Sequence, residues 1–288
     1  MRFTYAETMC DPTFLAPLAI AAEAAGFHSL SIPDSIMFPA TTDASYPYVE
    51  DGGREWLENK PMIEPMVLMA YLAGQTSRIR FTTFVVKLAV RPAVLVAKQA
   101  ASIAVLSNNR LSLGVGLSPW PEDFAVLGQP WASRGARMSE QIQIIKGLMS
   151  GDYFEFHGEH LELPPIKLCP VPTASLPVLV GGHADAALRR AAQLGDGWMH
   201  GGGDPTDLPG LIERVLELRT EAHGNTDGFE IHAISLDAYS KDGIKRLQDA
   251  GVTDVVVGFR YPYTTEPDTQ TLEEKITALS RFAEKMIH

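Results

Sequence analysis

Hydrophobic positions recur in one order along the chain: a helical stretch ends at a glycine, and a short apolar stretch follows. The segment AEAAGFHSLSI (residues 22–32) has this order, and LQDAGVTDVVVGF (residues 247–259) repeats it. Glycine is typical of the left-handed residue that ends a helix. Uninterrupted apolar runs such as VVVGF are typical of parallel strands buried on both faces. The pattern therefore predicts helices alternating with the strands of a parallel sheet.

The number of these units favours one parallel fold over the other. Strands are predicted near residues 3–5, 29–32, 79–86, 110–114, 178–181, 197–200, 230–234 and 254–258, and helices near 13–25, 65–76, 93–106, 132–149, 184–194, 206–222, 240–249 and 270–286. Eight such units are what a (β/α)8 barrel requires, whereas a doubly wound open sheet would seldom need as many. We therefore predict an α/β protein whose residues 1–288 form a single (β/α)8 TIM-barrel domain.

Two connections are too long to be simple turns. Residues 33–64, here named the lid, follow the second strand on the face where barrels carry their active sites. Long loops on that face usually form lids or pocket walls. Residues 151–177 precede the fifth strand on the opposite face, and their alternating aromatic and polar positions predict a small inserted hairpin. We expect the lid to shape the active site and the hairpin to be structural.

Composition narrows the class of partner. The net charge is −11 and no lysine or arginine run is present, which argues against a nucleic-acid partner. No apolar stretch approaches the ~18 residues of a membrane span. The two cysteines, Cys10 and Cys169, have no metal-ligand spacing, so we expect a reduced, cytoplasmic protein without a metal site. Its expected partner is a small-molecule substrate, and the apolar stretches 65–72 and 93–106 are compatible with a homodimer.

Glycines mark the ends of two predicted strands. Gly114 and Gly116 are not a dinucleotide fingerprint, because Pro119 stands where the third glycine is required. They either admit a planar ligand at the barrel rim or relieve crowding at a barrel corner. Gly181 and Gly182 are followed almost at once by a helix, whose free backbone N–H groups favour an anion such as a phosphate. His183 could add a hydrogen bond there, or be an exposed residue of a tight turn.

Polar residues also stand at strand ends. Asp34 and Ser35 follow the second strand, where an acid could bind, orient or exchange protons, although Asp34 could simply cap a turn after Pro33. Trp198 and His200 are interpreted as a core aromatic residue and a hydrogen-bonded core histidine. No nucleophile elbow or P-loop lysine is present in the sequence. An organic cofactor would supply the missing chemistry.

The chain resembles a known family of flavin and deazaflavin barrels, the luciferase-like monooxygenases. The likeness is carried by TSRIRFTTFVVKLAVRPAVLVAKQAASIAVLSNNRLSLGVG, LGQPWASRGARMSEQIQIIKGLMSG and LPVLVGGHADAALRRAAQLGDGW. The segment SIPDSIMFPATTDASYPYVEDG resembles the branch that uses the deazaflavin F420. This resemblance implies an F420-dependent oxidoreductase that moves a hydride to or from a small organic substrate. The alternatives are an FMN-dependent monooxygenase, a non-catalytic flavin- or deazaflavin-binding protein, and a sugar-phosphate isomerase or aldolase barrel that lacks an evident lysine or acid pair.

The resemblance also implies roles for particular residues. Asp34 is expected beside the cofactor ring, and Ser35 stands where the branch typically has a histidine suited to proton transfer. A non-proline cis peptide bond is expected between Phe84 and Val85, behind the ring. The complete set expected to bind cofactor is Asp34, Thr83, Phe84, Val85, Gly116, Gly181, Gly182 and His183, while Asp34 and Ser35 are the catalytic candidates. Cations expected for the oligoglutamate tail of F420 are Arg54, Lys60, Lys87 and Arg91.

Overall fold

Parallel strands close into a barrel, as predicted, in a computed structural model that describes residues 1–7, 9–49 and 51–288. The strands are β1 (Arg2–Tyr5), β2 (Ser29–Ile32), β3 (Arg80–Thr83), β4 (Val86–Lys87), β5 (Leu111–Gly116), β6 (Phe154–His157), β7 (Glu162–Ile166), β8 (Val178–Gly181), β9 (Gly197–Met199), β10 (Glu230–Ile234) and β11 (Asp254–Val257). Pairing of β1 with β11 and of β3 with β5 completes the ring, in which β4 continues β3.

Helices cover the outside of the barrel between successive strands. They are α1 (Leu15–Ala24), α2 (Pro65–Ala73), α3 (Ala93–Leu106), α4 (Pro121–Val126), α5 (Arg134–Leu148), α6 (Asp185–Leu194), α7 (Leu208–His223), α8 (Lys241–Asp249) and α9 (Leu272–Met286). The short α4 was not predicted, because one and a half turns are too few to show a helical period. In the part of the chain that the structure describes, no helix is both long and apolar enough to span a bilayer.

The third barrel strand is interrupted rather than continuous. The sequence predicts one strand over residues 79–86, but β3 ends at Thr83 and pairing resumes only at Val86. Between them the Phe84–Val85 peptide bond is cis, at the position expected from the resemblance. The interruption of the third strand therefore falls at the bulge that the family resemblance implies.

The inserted hairpin is present and is fixed to α5. Strands β6 and β7 pair antiparallel. The Glu140 carboxylate on α5 accepts backbone N–H groups of the hairpin turn, among them Leu161 N at 2.7 Å. Gly147 of α5 leaves the space that the Phe154 ring fills. These contacts anchor the insertion away from the C-terminal strand ends.

The N-terminal end of the barrel is closed by an ionic cluster. His232 Nε2 lies 2.7 Å from Glu230 Oε2 and 3.4 Å from Asp254 Oδ2. Arg2 Nη2 lies 2.5 Å from Asp254 Oδ2 and 3.1 Å from Glu230 Oε2. Burial opposes ionisation of Asp254, but His232 and Arg2 hold the pKa of its carboxyl below the usual value. Arg2 thus supplies the cation that this acidic pair needs.

Closure of the barrel depends on a glycine in β5. A Cβ atom built on Gly114 would lie 1.8 Å from the Thr83 carbonyl oxygen and 2.6 Å from Met199 Sδ. Backbone cannot yield as the end of a long side chain can, so no larger residue fits here without moving β3. For Gly114, the structure favours relief of crowding over approach of a ligand.

The first prediction tests this close approach. We expect Gly114→Ala to lower the free energy of unfolding by about 3 kcal/mol, at the upper end of overpacking costs, because the methyl group forces β3 and β5 apart. The control is Gly210→Ala on α7, where a Cβ meets nothing within 4 Å. That change should stabilise by roughly 0.5–1 kcal/mol through helix propensity. Urea denaturation measures the free energy of unfolding of both variants. A Gly114→Ala variant as stable as the wild type would contradict the packing argument.

Candidate functional site

The lid lies across the C-terminal ends of the barrel strands; its residue Glu50 lies outside the described residues. The Tyr48 ring packs edge-on against His183, with ring centroids 5.0 Å apart. The Tyr46 ring contacts Trp120 after β5 and Tyr263 after β11, at 6.1 and 5.9 Å. Burial raises the pKa of Tyr46, Tyr48 and Tyr263, so these phenols stay neutral. The lid therefore closes the barrel mouth with uncharged aromatic rings.

The floor of this mouth is built around Val85. A Cβ on Gly116 would lie 2.5 Å from Val85 Cγ2, and one on Gly181 would lie 3.1 Å from Val85 Cγ1. The missing side chains of both glycines are therefore replaced by the Val85 isopropyl group. Beside it, Thr83 Oγ1 donates to the Gly114 carbonyl oxygen at 2.7 Å and fixes the end of β3. Phe84 and Val85 remain partly exposed at the rim, where a planar ring could rest on them.

The turn after β8 has the form expected of an anion site. Gly182 has a φ of +124°, which L side chains rarely adopt. Its carbonyl oxygen accepts the indole N–H of Trp198 at 2.9 Å, so Trp198 is a core residue that also holds the turn. The Gly201 N–H donates to His183 Nε2 at 3.2 Å, which assigns the proton of a neutral His183 ring to Nδ1. His183 thus offers an N–H donor beside the start of α6.

His200 matches only part of its predicted role. It is buried, with 1% of its surface exposed, and its ring stacks on His183 at a centroid distance of 4.6 Å. His200 is a core residue, as predicted, but neither ring nitrogen makes a hydrogen bond of acceptable geometry within the described residues, and its remaining polar interaction is with the Ile234 backbone. Burial and the neighbouring His183 lower the pKa of His200 to about 4, although the Ile234 backbone opposes them. A neutral imidazole ring therefore stacks on His183.

Asp34 occupies the rim but its carboxylate is already engaged. Arg91 Nη1 and Nη2 donate to Asp34 Oδ2 and Oδ1 at 2.7 and 2.9 Å, and the Lys87 backbone N–H donates to Oδ2 at 2.8 Å. The Asp34 side chain is 1% exposed. Lys87 Nζ in turn lies 2.6 Å from Asp123 Oδ2. Two of the cations expected for a cofactor tail are thus paired with buried carboxylates, and Ser35 next to them is half-buried.

Glu7 was missed by sequence reasoning. It follows β1 on the same rim, is 8% exposed, and burial raises the pKa of its carboxyl although Lys275 and Arg260 act to lower it. Lys275 Nζ lies 3.4 Å from Glu7 Oε1 and 2.8 Å from Asp268 Oδ2. The signal was available, because an acid directly after a barrel strand was also what identified Asp34.

Comparison with known proteins gives three useful matches. The model of a family described as luciferase-like monooxygenase matches residues 4–265. An uncharacterized protein of Mycobacterium tuberculosis is 60% identical over 287 residues, covering 100% of this chain and 99% of that protein. An F420-dependent glucose-6-phosphate dehydrogenase of Amycolatopsis mediterranei is 29% identical over 203 residues, covering 68% of this chain and 56% of that protein.

One solved structure shows how widely the fold is shared. The coenzyme F420-dependent tetrahydromethanopterin reductase of Methanopyrus kandleri superposes with a TM-score of 0.73 over 99% of this chain and 98% of its own, at 17% sequence identity. At that identity the match bears on the fold, not on the chemistry.

The second prediction concerns the pH dependence of stability. The pKa of His200 is about 4 in the folded protein and 6.5 in an unfolded chain, so acidification between these values favours the unfolded state, which binds the proton. At about 1.4 kcal/mol for each pKa unit, this residue removes about 3 kcal/mol of stability across that window. Stability should therefore fall less steeply from pH 6.5 to 4 in His200→Gln than in the wild type. His157→Gln, at an exposed histidine, is the control and should follow the wild-type slope.

The third prediction concerns the Asp34–Arg91 pair. Removing one partner leaves a buried charge uncompensated, so Asp34→Asn should lower the free energy of unfolding by about 3 kcal/mol. Asp185→Asn is the matched control, because Asp185 also pairs with an arginine at 2.6 Å but is 54% exposed. That change should cost less than about 1 kcal/mol. Chemical denaturation of both variants gives the comparison, and an unaltered Asp34→Asn stability would argue against a positioning role.

Proposed function

The chain belongs to the luciferase-like monooxygenase family, and we propose that it is an F420-dependent oxidoreductase acting on a small organic substrate. One sequence relative supports the cofactor, because it is an F420-dependent glucose-6-phosphate dehydrogenase. When bound, F420 would supply a hydride donor or acceptor at the barrel mouth.

The residues at the mouth fit such a group. The floor at Phe84 and Val85 is apolar and partly exposed, and the Val85 side chain occupies the space that Gly116 and Gly181 leave open. His183 Nδ1 and the turn at Gly182 offer donors for a phosphate. The unused nitrogens of His200, whose ring stacks on His183, would complete a polar wall. This Val85–glycine floor beside a donor-rich turn is the observation that carries the proposal.

The lid has to move for a ligand to enter. A Cβ on Gly201 would lie 2.9 Å from Tyr48 Cζ, so the Tyr48 ring covers the backbone beside His183. We propose that Tyr48 swings away when the phosphate binds, and that the closed lid then excludes water from the ring. Exclusion of water strengthens every polar contact inside the mouth.

Proton exchange requires a group other than the one expected from the family branch. Ser35 has no imidazole, and the carboxylate of Asp34 is held by Arg91. We assign Asp34 a positioning role, in which it fixes the turn after β4 through the Lys87 N–H. Glu7 is the alternative acid on this rim, because its carboxyl is buried there and burial raises its pKa.

A second candidate function is an FMN-dependent monooxygenase. The description of the matching family favours it, since that family is named for monooxygenases. The same floor and phosphate turn would accept either cofactor, so the two functions differ in which ring is preferred. A cofactor-binding protein without turnover would share the binding preference of whichever cofactor it holds.

The fourth prediction separates these functions. We expect F420 to quench protein fluorescence at micromolar or lower concentrations and FMN to bind at least about tenfold more weakly. His183→Ala should weaken F420 binding by about tenfold, since a charge-assisted hydrogen bond to phosphate is lost, and should leave binding of a phosphate-free deazaflavin unaltered. His157→Ala on the exposed hairpin is the control. Tighter binding of FMN than of F420 would favour the FMN-dependent monooxygenase. If the protein binds neither F420 nor FMN, the proposed cofactor is wrong.

A further inference from the structure

Arg54, in the lid, is a buried cation without an anion. Its residue surface is 8% exposed, and its guanidinium lies over the Phe38 ring at 4.6 Å and near the Trp120 ring at 5.9 Å. Nη2 donates to the Pro39 carbonyl oxygen at 2.8 Å. Nη1 is buried and donates to nothing, and no carboxylate among the described residues lies within 4.0 Å of the group.

The other buried arginines satisfy their donors. Arg110 donates to several backbone carbonyls, including Ile79 O at 2.8 Å, and Arg137 donates to Pro130 O at 2.9 Å and to Ala89 O. The paired cations of the rim, Lys87 and Lys275, have carboxylate partners. Within the described part of the chain, Arg54 is the buried arginine that combines an unused terminal N–H with no countercharge. A buried polar group of this kind requires an explanation, and a missing ligand is one.

A second unused donor lies on the same lid segment. Trp56 is 8% exposed, and its indole Nε1 is buried without a hydrogen-bond partner. Its ring packs against Tyr46 at 5.3 Å and Tyr263 at 4.9 Å, while Tyr46 also stacks on Trp120, the ring near Arg54. Both donors therefore belong to one aromatic cluster over the barrel mouth. Flat aromatic walls favour a planar ligand, and donors without acceptors favour a negatively charged oxygen.

We propose that Arg54 and Trp56 form a carboxylate-binding subsite of the lid, which recognises a planar ligand bearing a carboxylate. The carboxylate oxygens accept Arg54 Nη1–H and Trp56 Nε1–H, and the carboxylate charge compensates the buried guanidinium. This inference deepens the proposed function, on which its cofactor arm rests: the carboxylate belongs either to the substrate or to the glutamate tail of F420.

Benzoate and benzamide test the substrate source without any cofactor, because they share a planar skeleton and differ in charge. We expect tryptophan-fluorescence titration and calorimetry to show benzoate binding at least about tenfold more tightly than benzamide. Arg54→Met should abolish this preference and Arg54→Lys should retain part of it. Trp56→Phe, which keeps a ring and removes the donor, should weaken benzoate binding several-fold. Arg246→Met removes an exposed surface arginine and is the control for charge.

The tail source is tested with F420 and with the same cofactor trimmed of its glutamates. If the glutamates increase affinity in the wild type and in Arg246→Met but not in Arg54→Met, the subsite holds the tail. Circular dichroism melts establish that each variant is folded. The inference is overturned if the wild type shows no preference for benzoate over benzamide and the glutamates have no effect that depends on Arg54. Failure of the wild type to bind F420 at all would instead overturn the proposed function and leave the benzoate arm intact.

Discussion

The close approach between the end of β3 and strand β5 is the constraint on which the barrel mouth depends. The Thr83 carbonyl presses against Gly114, and two residues later the Val85 side chain fills the space left by Gly116 and Gly181. Three glycines on the neighbouring strands β5 and β8 therefore leave space for the irregular end of β3. The same packing that closes the barrel also forms an apolar floor at its mouth, so the fold and the proposed ring-binding surface have a common origin.

The buried carboxylates at the rim are each paired with a cation. Asp34 and Glu7 remain at the strand ends only because Arg91 and Lys275 lie against them, since an unpaired buried carboxylate would be strongly unfavourable. Such pairs fix loops, and they leave few free groups to act on a ligand. Among the described residues, the unpartnered polar atoms near the mouth include those of His200, Arg54 and Trp56. Paired carboxylates at the rim therefore contrast with unpartnered donors in the lid.

This contrast bears on the chemistry proposed for the site. In the proposed function, the paired carboxylates of the rim would position the lid and the cofactor ring, while His200 and the buried tyrosines stay neutral. Because Ser35 stands in place of a histidine, proton transfer in that proposal falls to another acid. Barrels of this fold catalyse different reactions, and the loop residues over the barrel mouth determine which reaction occurs.

The sequence by itself determined the barrel, because each glycine-ended helix and each uninterrupted apolar strand can be recognised from its own residues. It also located Asp34 and the turn at Gly181–His183 through motifs near strand ends, and the family resemblance located Phe84–Val85. Only the tertiary structure decided what these residues contact: Arg91 holds Asp34, Val85 occupies the space beside Gly116, and the His200 ring stacks on His183. Such partners lie tens of residues away or on other strands. Their meeting depends on barrel closure and on the lid's path, which no local pattern encodes.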